Sequence, residues 1–266
     1  MGRHFAWPGI LHACYRDSRP ATAAIAAMLA VHHRLRTWTD KIDLHITLTE
    51  FGREKFIAGG MPAEKMVVKP NFLACDPGPG TGDGRFGIFV GRLTAEKGIR
   101  TLLAAWQTIQ DRLPLRILGT GPLGDVVAAA AAQTPGVAWL GERTHPEVLE
   151  LIGKASVLVM PSEWYEPFGL AVIEAFAKGT PVVGADIGSI GSLVQDGRNG
   201  YLYKPGHPSD LAAKIATLIA NPDRTQRMRF AARQTYEDHY TAERNYAALK
   251  RIYESAVEIN RNRIPE

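Results

Sequence analysis

The chain has 266 residues, 45% hydrophobic and 22% charged, with a formal net charge of +4 and a pI near 9.1. That length holds one large domain or two modest ones with a buried core, and the composition is that of an ordinary soluble protein. The mild basic excess suits phosphorylated ligands or an anionic surface, while the absence of Lys/Arg runs interleaved with aromatics argues against a nucleic-acid partner.

Residues 1–19 show no clear period, and Met1-Gly2-Arg3-His4 leads into Trp-Pro rather than an apolar leader segment. Pro20 opens an Ala-rich helix, PATAAIAAMLAVHHRLRTW. Its apolar run from Ala21 to Val31 is too short to span a bilayer. IDLHITLT, residues 42–49, alternates as a strand does. FGREKFIAG is a short helix closed by Gly59 and Gly60, and MVVKP is a short strand or connector. Two cysteines, Cys14 and Cys75, make neither a disulfide framework nor a zinc set; reduced thiols imply a cytoplasmic protein. CDPGPGTGDGR, residues 75–85, is rich in Gly and Pro and reads as a linker.

After residue 85 the rhythm changes. Short apolar strands (RFGIFVG, LRILG, GVAWLG, ASVLVMP, TPVVGA) alternate with helices (EKGIRTLLAAWQTIQ, PLGDVVAAAAAQ, HPEVLELIGK, FGLAVIEAFAKG). That alternation predicts an α/β fold, a parallel sheet with helices on both faces. GYLY is a further strand, and three helices close the chain, starting at Pro208, Pro222 and Thr241. Ligands of such sheets bind outside the carboxyl ends of the strands, so the strand-to-helix junctions are the places to search.

Gly91-Arg92-Leu93-Thr94-Ala95-Glu96-Lys97-Gly98 puts a turning glycine and two cations at that edge, beside a helix N-terminus. It suits a diphosphate, or is a capped helix start with solvated charges. Gly119-Thr120-Gly121-Pro122-Leu123-Gly124 matches the G-x-G-x-x-G dinucleotide fingerprint, with Glu142 where a ribose-binding acid would stand. It lies in the second strand–helix unit rather than the first, and Pro122 removes an N–H from the phosphate cradle. Gly141 to Pro146 holds a helix cap at Thr144, with His145 read as a surface histidine. The fourth junction, PSEWYEPFG, carries Glu166; the helix begins near Pro167 or Phe168, so the N–H groups of Phe168, Gly169 and Leu170 form an anion site. Glu174 falls two turns later, among Ala171, Val172, Ile173, Ala175, Phe176 and Ala177; a carboxylate in so apolar a helix needs a partner.

Taken together, GRLTAEKG, GTGP, PSEWYEPFGLAVIEAFAKGTPVVG and the later QDGRNGYLY resemble the retaining family 4 (group 1) glycosyltransferases, over about residues 67–236. The resemblance implies the GT-B fold: one complete Rossmann-like C-terminal domain, here preceded by a partial N-terminal Rossmann-like one. It implies transfer of a sugar from a nucleoside-diphosphate sugar, UDP- or GDP-linked, with retention of configuration. Arg92 and Lys97 would hold the diphosphate, Glu166 the donor sugar and Glu174 the ribose. The amides of Phe168, Gly169 and Leu170 would meet phosphate, and Gly91, Gly119 and Gly121 would line the donor. No Asp-x-Asp pair is present to hold a catalytic cation, so neither metal nor cofactor is expected.

The expected division is a partial acceptor-side domain at 1–74, the linker at 75–85, a nucleotide-sugar-binding domain at 86–240, and a helix at 241–266 returning to the N-terminal part. The short N-terminal part is expected to reflect a truncated frame, or a second chain that supplies the missing half. The acceptor is a sugar, lipid or small molecule, and the basic charge is compatible with peripheral contact at the cytoplasmic membrane face. Two rival readings stand: an inactive or partner-dependent nucleotide-sugar-binding fragment, and an NAD-dependent oxidoreductase using Gly119 to Gly124.

Overall fold

The computed structural model describes residues 6–109 and 112–262. These fall into two compact units: one holds the described residues up to Lys69 and from Ala247 on, the other Pro70–Tyr246.

In the first unit, α1 (Trp7–Leu11) is followed by α2 (Arg19–Arg34), which the Ser18 hydroxyl caps at the Ala21 N–H. The expected single helix over 20–38 is broken: Arg36 takes a left-handed conformation (φ 52°), and the chain restarts as α3 (Thr37–Asp40). β1 (His45–Thr47) is shorter than the alternating stretch, because it pairs only with the three-residue β2 (Met66–Val68), in parallel. Between them α4 (Glu50–Ala58) starts where Thr49 caps the Gly52 N–H at 3.1 Å. A depression lined by Arg36, Thr39, Asp40 and Lys65 lies in this unit. Three of its charges are engaged within the unit: Lys65 donates to the carbonyls of Thr39 and Ile42, and Arg36 pairs with Asp40.

The second unit is built on β3 (Gly87–Val90), β4 (Leu115–Leu118), β5 (Val137–Gly141), β6 (Val157–Met160), β7 (Val182–Ala185) and β8 (Gly200–Tyr203). All are parallel, in the order β5-β4-β3-β6-β7-β8. The chain grows outward from β3 to β5, then returns to the other side of β3 and grows the opposite way. The reversal lies between β3 and β6, the place in such sheets where ligands bind, outside the strands' carboxyl ends. The helices between strands are α5 (Ile99–Ile109), α6 (Gly124–Gln133), α7 (His145–Lys154), α8 (Leu170–Ala177) and the short α9 (Gly188–Leu193); α10 (Pro208–Ile219), α11 (Pro222–His239) and α12 (Ala242–Arg261) follow β8. α5 packs on α6 and α10, and α8 on α7 and α11, so both faces of the sheet are covered. The expected end of α5 at Gln110 lies outside the described residues.

The core is apolar, with an aromatic ring at its centre. Trp106 is fully buried and donates its indole N–H to the Leu113 carbonyl at 2.8 Å. Gly87 in β3 makes room for it, since a Cβ there would stand 2.7 Å from the indole ring.

The stretch read as a linker is laid along the second unit. Gly80, Gly82 and Gly84 donate backbone N–H groups to Lys178, Gly153 and Lys154. Gly80 must be glycine, since a Cβ would lie 2.2 Å from the Gly153 carbonyl oxygen. Arg229, only 8% exposed, reaches the carbonyls of Gly80 and Ala155 at 3.0 and 3.2 Å. Burial lowers its pKa below the usual guanidinium value, an effect Asp83 opposes. Gly and Pro serve here for close backbone approach rather than for looseness.

Candidate active site

The carboxyl ends of β3 and β6 lead into loops, and the two loops are stitched together. After β3 the backbone makes one 3-10 turn, Ala95–Lys97, and passes through Gly98 (φ 69°) before α5 begins. The expected uninterrupted helix from Glu96 is therefore split at Gly98. The cause is contact: a Cβ at Gly98 would stand 1.8 Å from the Pro161 carbonyl oxygen in the loop after β6. The Glu163 N–H donates to the Glu96 carbonyl at 2.9 Å, and the Thr101 hydroxyl reaches the Glu163 carboxylate at 2.5 Å.

That stitching brings Lys97 to Glu166. The ammonium nitrogen lies 2.6 Å from Glu166 Oε1, and the same oxygen accepts the Ser162 hydroxyl at 2.7 Å. The glutamate side chain is 7% exposed and the lysine 23%. Glu166 Oε2 has no partner among the described residues, and the lysine also lies over the Trp164 ring, 5.8 Å from its centroid. From behind, Gly188 supports this turn: a Cβ there would come within 3.0 Å of the Tyr165 Cα. Arg92 is exposed and makes no ion pair with a described residue.

Helix α8 begins at Leu170, three residues after Pro167, where the sequence suggested an earlier start. Gly169 causes the delay: it has φ 118°, and a Cβ would press 2.9 Å from Ile190 Cδ1. Phe168 lies outside the helix; its ring is buried at 3% exposure, edge-on to Tyr240 at 6.1 Å. The backbone N–H groups of Phe168, Gly169 and Leu170 donate to no described residue, so the expected free amides are present although the helix boundary moves.

Glu174 does have a partner. Val172, Ile173, Ala175, Phe176 and Ala177 are buried, while Leu170, Glu174 and Lys178 share the helix's less buried stripe at i, i+4 spacing. His145 Nε2 lies 2.9 Å from Glu174 Oε1. His145 is the first residue of α7, and a complete capping box holds that helix start: Glu147 Oε2 accepts from the Thr144 N–H at 2.9 Å and from its hydroxyl at 2.6 Å. The Thr144 hydroxyl keeps the Glu147 carboxyl below its ordinary pKa, helped by the Thr144 N–H. From sequence alone His145 reads as a surface histidine. Its distance from Glu174 in the chain hid the contact, which exists because α7 and α8 pack side by side around β6.

Gly119 and Gly121 are accounted for by the neighbouring loop. A Cβ at Gly119 would lie 2.0 Å from the Gly91 carbonyl oxygen, and one at Gly121 2.6 Å from that of Leu93. Backbone bonds close the two loops: Gly91 N–H to Leu118, Leu93 N–H to Thr120, Leu123 N–H to Leu93. The G-x-G-x-x-G spacing thus serves loop-on-loop packing, with Gly124 lying under the Trp139 ring. Among the described residues no group of three or more His, Cys, Asp or Glu stands together as a metal set, and no helix is long and apolar enough to cross a membrane.

Residues 79–235 match the family Glycosyl transferases group 1. The chain is 33% identical over 184 residues to a glycogen synthase of Mycobacterium tuberculosis, covering 67% of this chain and 44% of that protein. It is 34% identical over 162 residues to an alpha-maltose-1-phosphate synthase of Mycolicibacterium smegmatis, covering 55% and 41%. The chain thus spans less than half the length of these two relatives. Among solved structures it is similar to Anabaena HepE in complex with UDP and glucose, with TM-score 0.71, 24% identity, and coverage of 80% of this chain and 63% of that one. A sucrose-phosphate synthase of Thermosynechococcus elongatus is similar at TM-score 0.71 and 23% identity, covering 80% and 58%. At these identities the structural likeness speaks to the fold, an α/β architecture of the GT-B type.

Proposed function

We propose that this chain, which belongs to the group 1 glycosyl transferases, binds a nucleoside-diphosphate sugar on its second unit and activates it for transfer to an acceptor hydroxyl. The observation that carries the reading is the Lys97–Glu166 pair, held across the point where strand order reverses and beside the free amides of Phe168, Gly169 and Leu170. A cation, a carboxylate and unpaired N–H groups converge there on the space outside the strand ends. That set suits a sugar linked to phosphate.

In this reading the acceptor's hydroxyl oxygen bonds to the sugar's anomeric carbon as the bond to the diphosphate breaks; the electron pair of the broken bond goes to a phosphate oxygen, and the departing diphosphate takes the hydroxyl's proton. Lys97, Arg92 and the amides of Phe168, Gly169 and Leu170 meet the charge that develops. Each such preorganised donor is worth on the order of 3 kcal/mol in a transition state. Arg92, exposed and within electrostatic reach of Glu96, would turn toward phosphate. Glu166 offers Oε2 to hydroxyls of the donor sugar, while Ser162 and Lys97 hold Oε1. Glu174 takes the ribose hydroxyls, and Gly91, Gly119 and Gly121 shape the floor beneath the nucleotide. We extend the proposal to a UDP- or GDP-linked hexose, transferred with retention and without a metal ion to a sugar, lipid or small-molecule acceptor. The family resemblance supports retention, and the names of the mycobacterial relatives support a hexose.

Thermal-shift titration with UDP, GDP and ADP tests the donor site. One of them is expected to raise the melting temperature at millimolar concentration, since a ligand at 100 times its Kd adds about 2.7 kcal/mol. No stabilisation by any of the three would remove the proposal. Lys97→Met is expected to abolish the shift, and an intact shift in that variant would move the phosphate elsewhere.

A further inference from the structure

We propose that His145 is a positioning residue for the donor nucleotide: it holds the Glu174 carboxylate in the orientation that receives the ribose hydroxyls. This rests on the reading of Glu174 as the ribose ligand and assigns a role to a residue that reading does not use.

The geometry is specific. His145 Nε2 and Glu174 Oε1 are 2.9 Å apart, and a carboxylate can only accept, so Nε2 carries the hydrogen. The two side chains differ sharply in exposure, 65% for the histidine and 14% for the glutamate. A pair between two exposed side chains contributes little. Here one member is nearly covered and sits in a helix whose neighbouring residues at 172, 173, 175, 176 and 177 are all buried. Such a carboxylate needs its partner more than the partner needs it.

The partner is itself held still. His145 opens α7 behind a complete Thr144–Glu147 capping box, with Pro146 in the first turn fixing the backbone. The imidazole therefore projects from a rigid helix start onto a helix packed against it. Only Oε1 of Glu174 is engaged, and Oε2 accepts from no described residue. One oxygen is anchored and the other is left for a ligand.

The physical consequence is preorganisation. A free glutamate has three rotatable bonds, and fixing them on binding weakens affinity by roughly tenfold. Anchoring Oε1 settles that orientation before the nucleotide arrives. The histidine acts through the carboxylate, so its effect depends on the ribose having hydroxyls to recognise.

The test compares the nucleoside diphosphate that best stabilises the wild type, among UDP, GDP and ADP, with its 2′,3′-dideoxy counterpart. Titration calorimetry is run on the wild type, His145→Ala, His145→Gln, Glu174→Gln and the His145→Ala/Glu174→Gln double variant. His145→Ala is expected to weaken the ribonucleotide about tenfold and the dideoxy form less than about twofold. His145→Gln, whose amide can also donate to the carboxylate, is expected to recover most of the loss. The double variant should bind no worse than Glu174→Gln alone. An unchanged ratio of ribo to dideoxy affinity in His145→Ala, or an equal loss for both nucleotides, would overturn the assignment while leaving the donor site standing. Absence of binding by the wild type would remove both.

Discussion

Lys97 and Glu166, 69 residues apart in the chain, meet at 2.6 Å across the two loops that flank the strand-order reversal. Their energetics separate a true pair from a chance approach. Lys97→Met leaves a carboxylate at 7% exposure with the Ser162 hydroxyl as its remaining donor. That is expected to cost about 1–3 kcal/mol, less than a fully buried pair because the lysine is partly solvated. Adding Glu166→Gln removes the stranded charge and should restore part of the loss. A urea-unfolding double-mutant cycle is expected to show coupling of about 1 kcal/mol or more; strictly additive effects would mean that the pair does not hold the loops.

A glycine from each of the second and third junctions offers a sharper contrast. Gly141 has φ 70° with nothing within 4 Å of a would-be Cβ, so Gly141→Ala pays only the left-handed backbone cost, about 1–2 kcal/mol. Gly119 has φ 122° and would in addition drive a methyl to within 2.0 Å of the Gly91 carbonyl oxygen. Gly119→Ala is expected to cost more than about 3 kcal/mol and to lower the melting temperature well below that of Gly141→Ala. Equal melting temperatures would mean that the two loops are not locked together.

These two sites show where sequence is legible and where it is not. Period and length suffice for strands such as Val157–Met160, fully buried and apolar, and for the helices between them. The order of strands is a tertiary choice that no local pattern encodes, so the meeting of Lys97 with Glu166 could be expected only through a resemblance. Glu174 is legible as a carboxylate needing a partner, because its neighbours are apolar; the partner is not, because His145 stands on a different helix. Pro167 and Phe168 read as a helix start, and only the Ile190 contact shows why the positive φ of Gly169 delays α8 to Leu170. The Gly/Pro run at 75–85 has the composition of a linker, and its packing on Gly153, Lys178 and Arg229 depends on partners far along the chain.

The strap formed by that run carries an acid-sensitive tie. Asp76 is bound by Arg233, and by the Gly78 N–H at 2.9 Å; the Arg233 hydrogen bond does most to hold its pKa below the ordinary carboxylate value of 3.8. A depressed carboxylate stabilises the fold above its unfolded pKa and loses that contribution as pH falls through the folded value. Asp76→Asn is therefore expected to be less stable than wild type at pH 6, with the gap closing below about pH 4. Asp76 is 46% exposed, so the gap is small. A difference independent of pH would show that the charge is not what ties the strap.

Tyr240 supplies the opposite sign at the alkaline end. Its ring is 8% exposed, edge-on to Phe168, and burial pushes its hydroxyl up to about 12 from 10.0. A raised tyrosine keeps its proton longer in the folded chain, so the associated stability is complete below the unfolded pKa and is lost as pH rises through the folded one. Between pH 10 and 12 the wild type should lose on the order of 2–3 kcal/mol that Tyr240→Phe does not lose. Unfolding curves of the two proteins at pH 9 and pH 11.5, with tyrosinate absorbance followed in parallel, make the comparison. Because Phe168 precedes the free amides at Gly169 and Leu170, loosening this ring contact would also displace them. Tyr240→Phe keeps the ring and is expected to leave nucleotide-induced stabilisation at pH 7 unchanged, whereas Tyr240→Ala should reduce it. Equal stabilisation in both variants would uncouple the aromatic contact from the phosphate-facing turn.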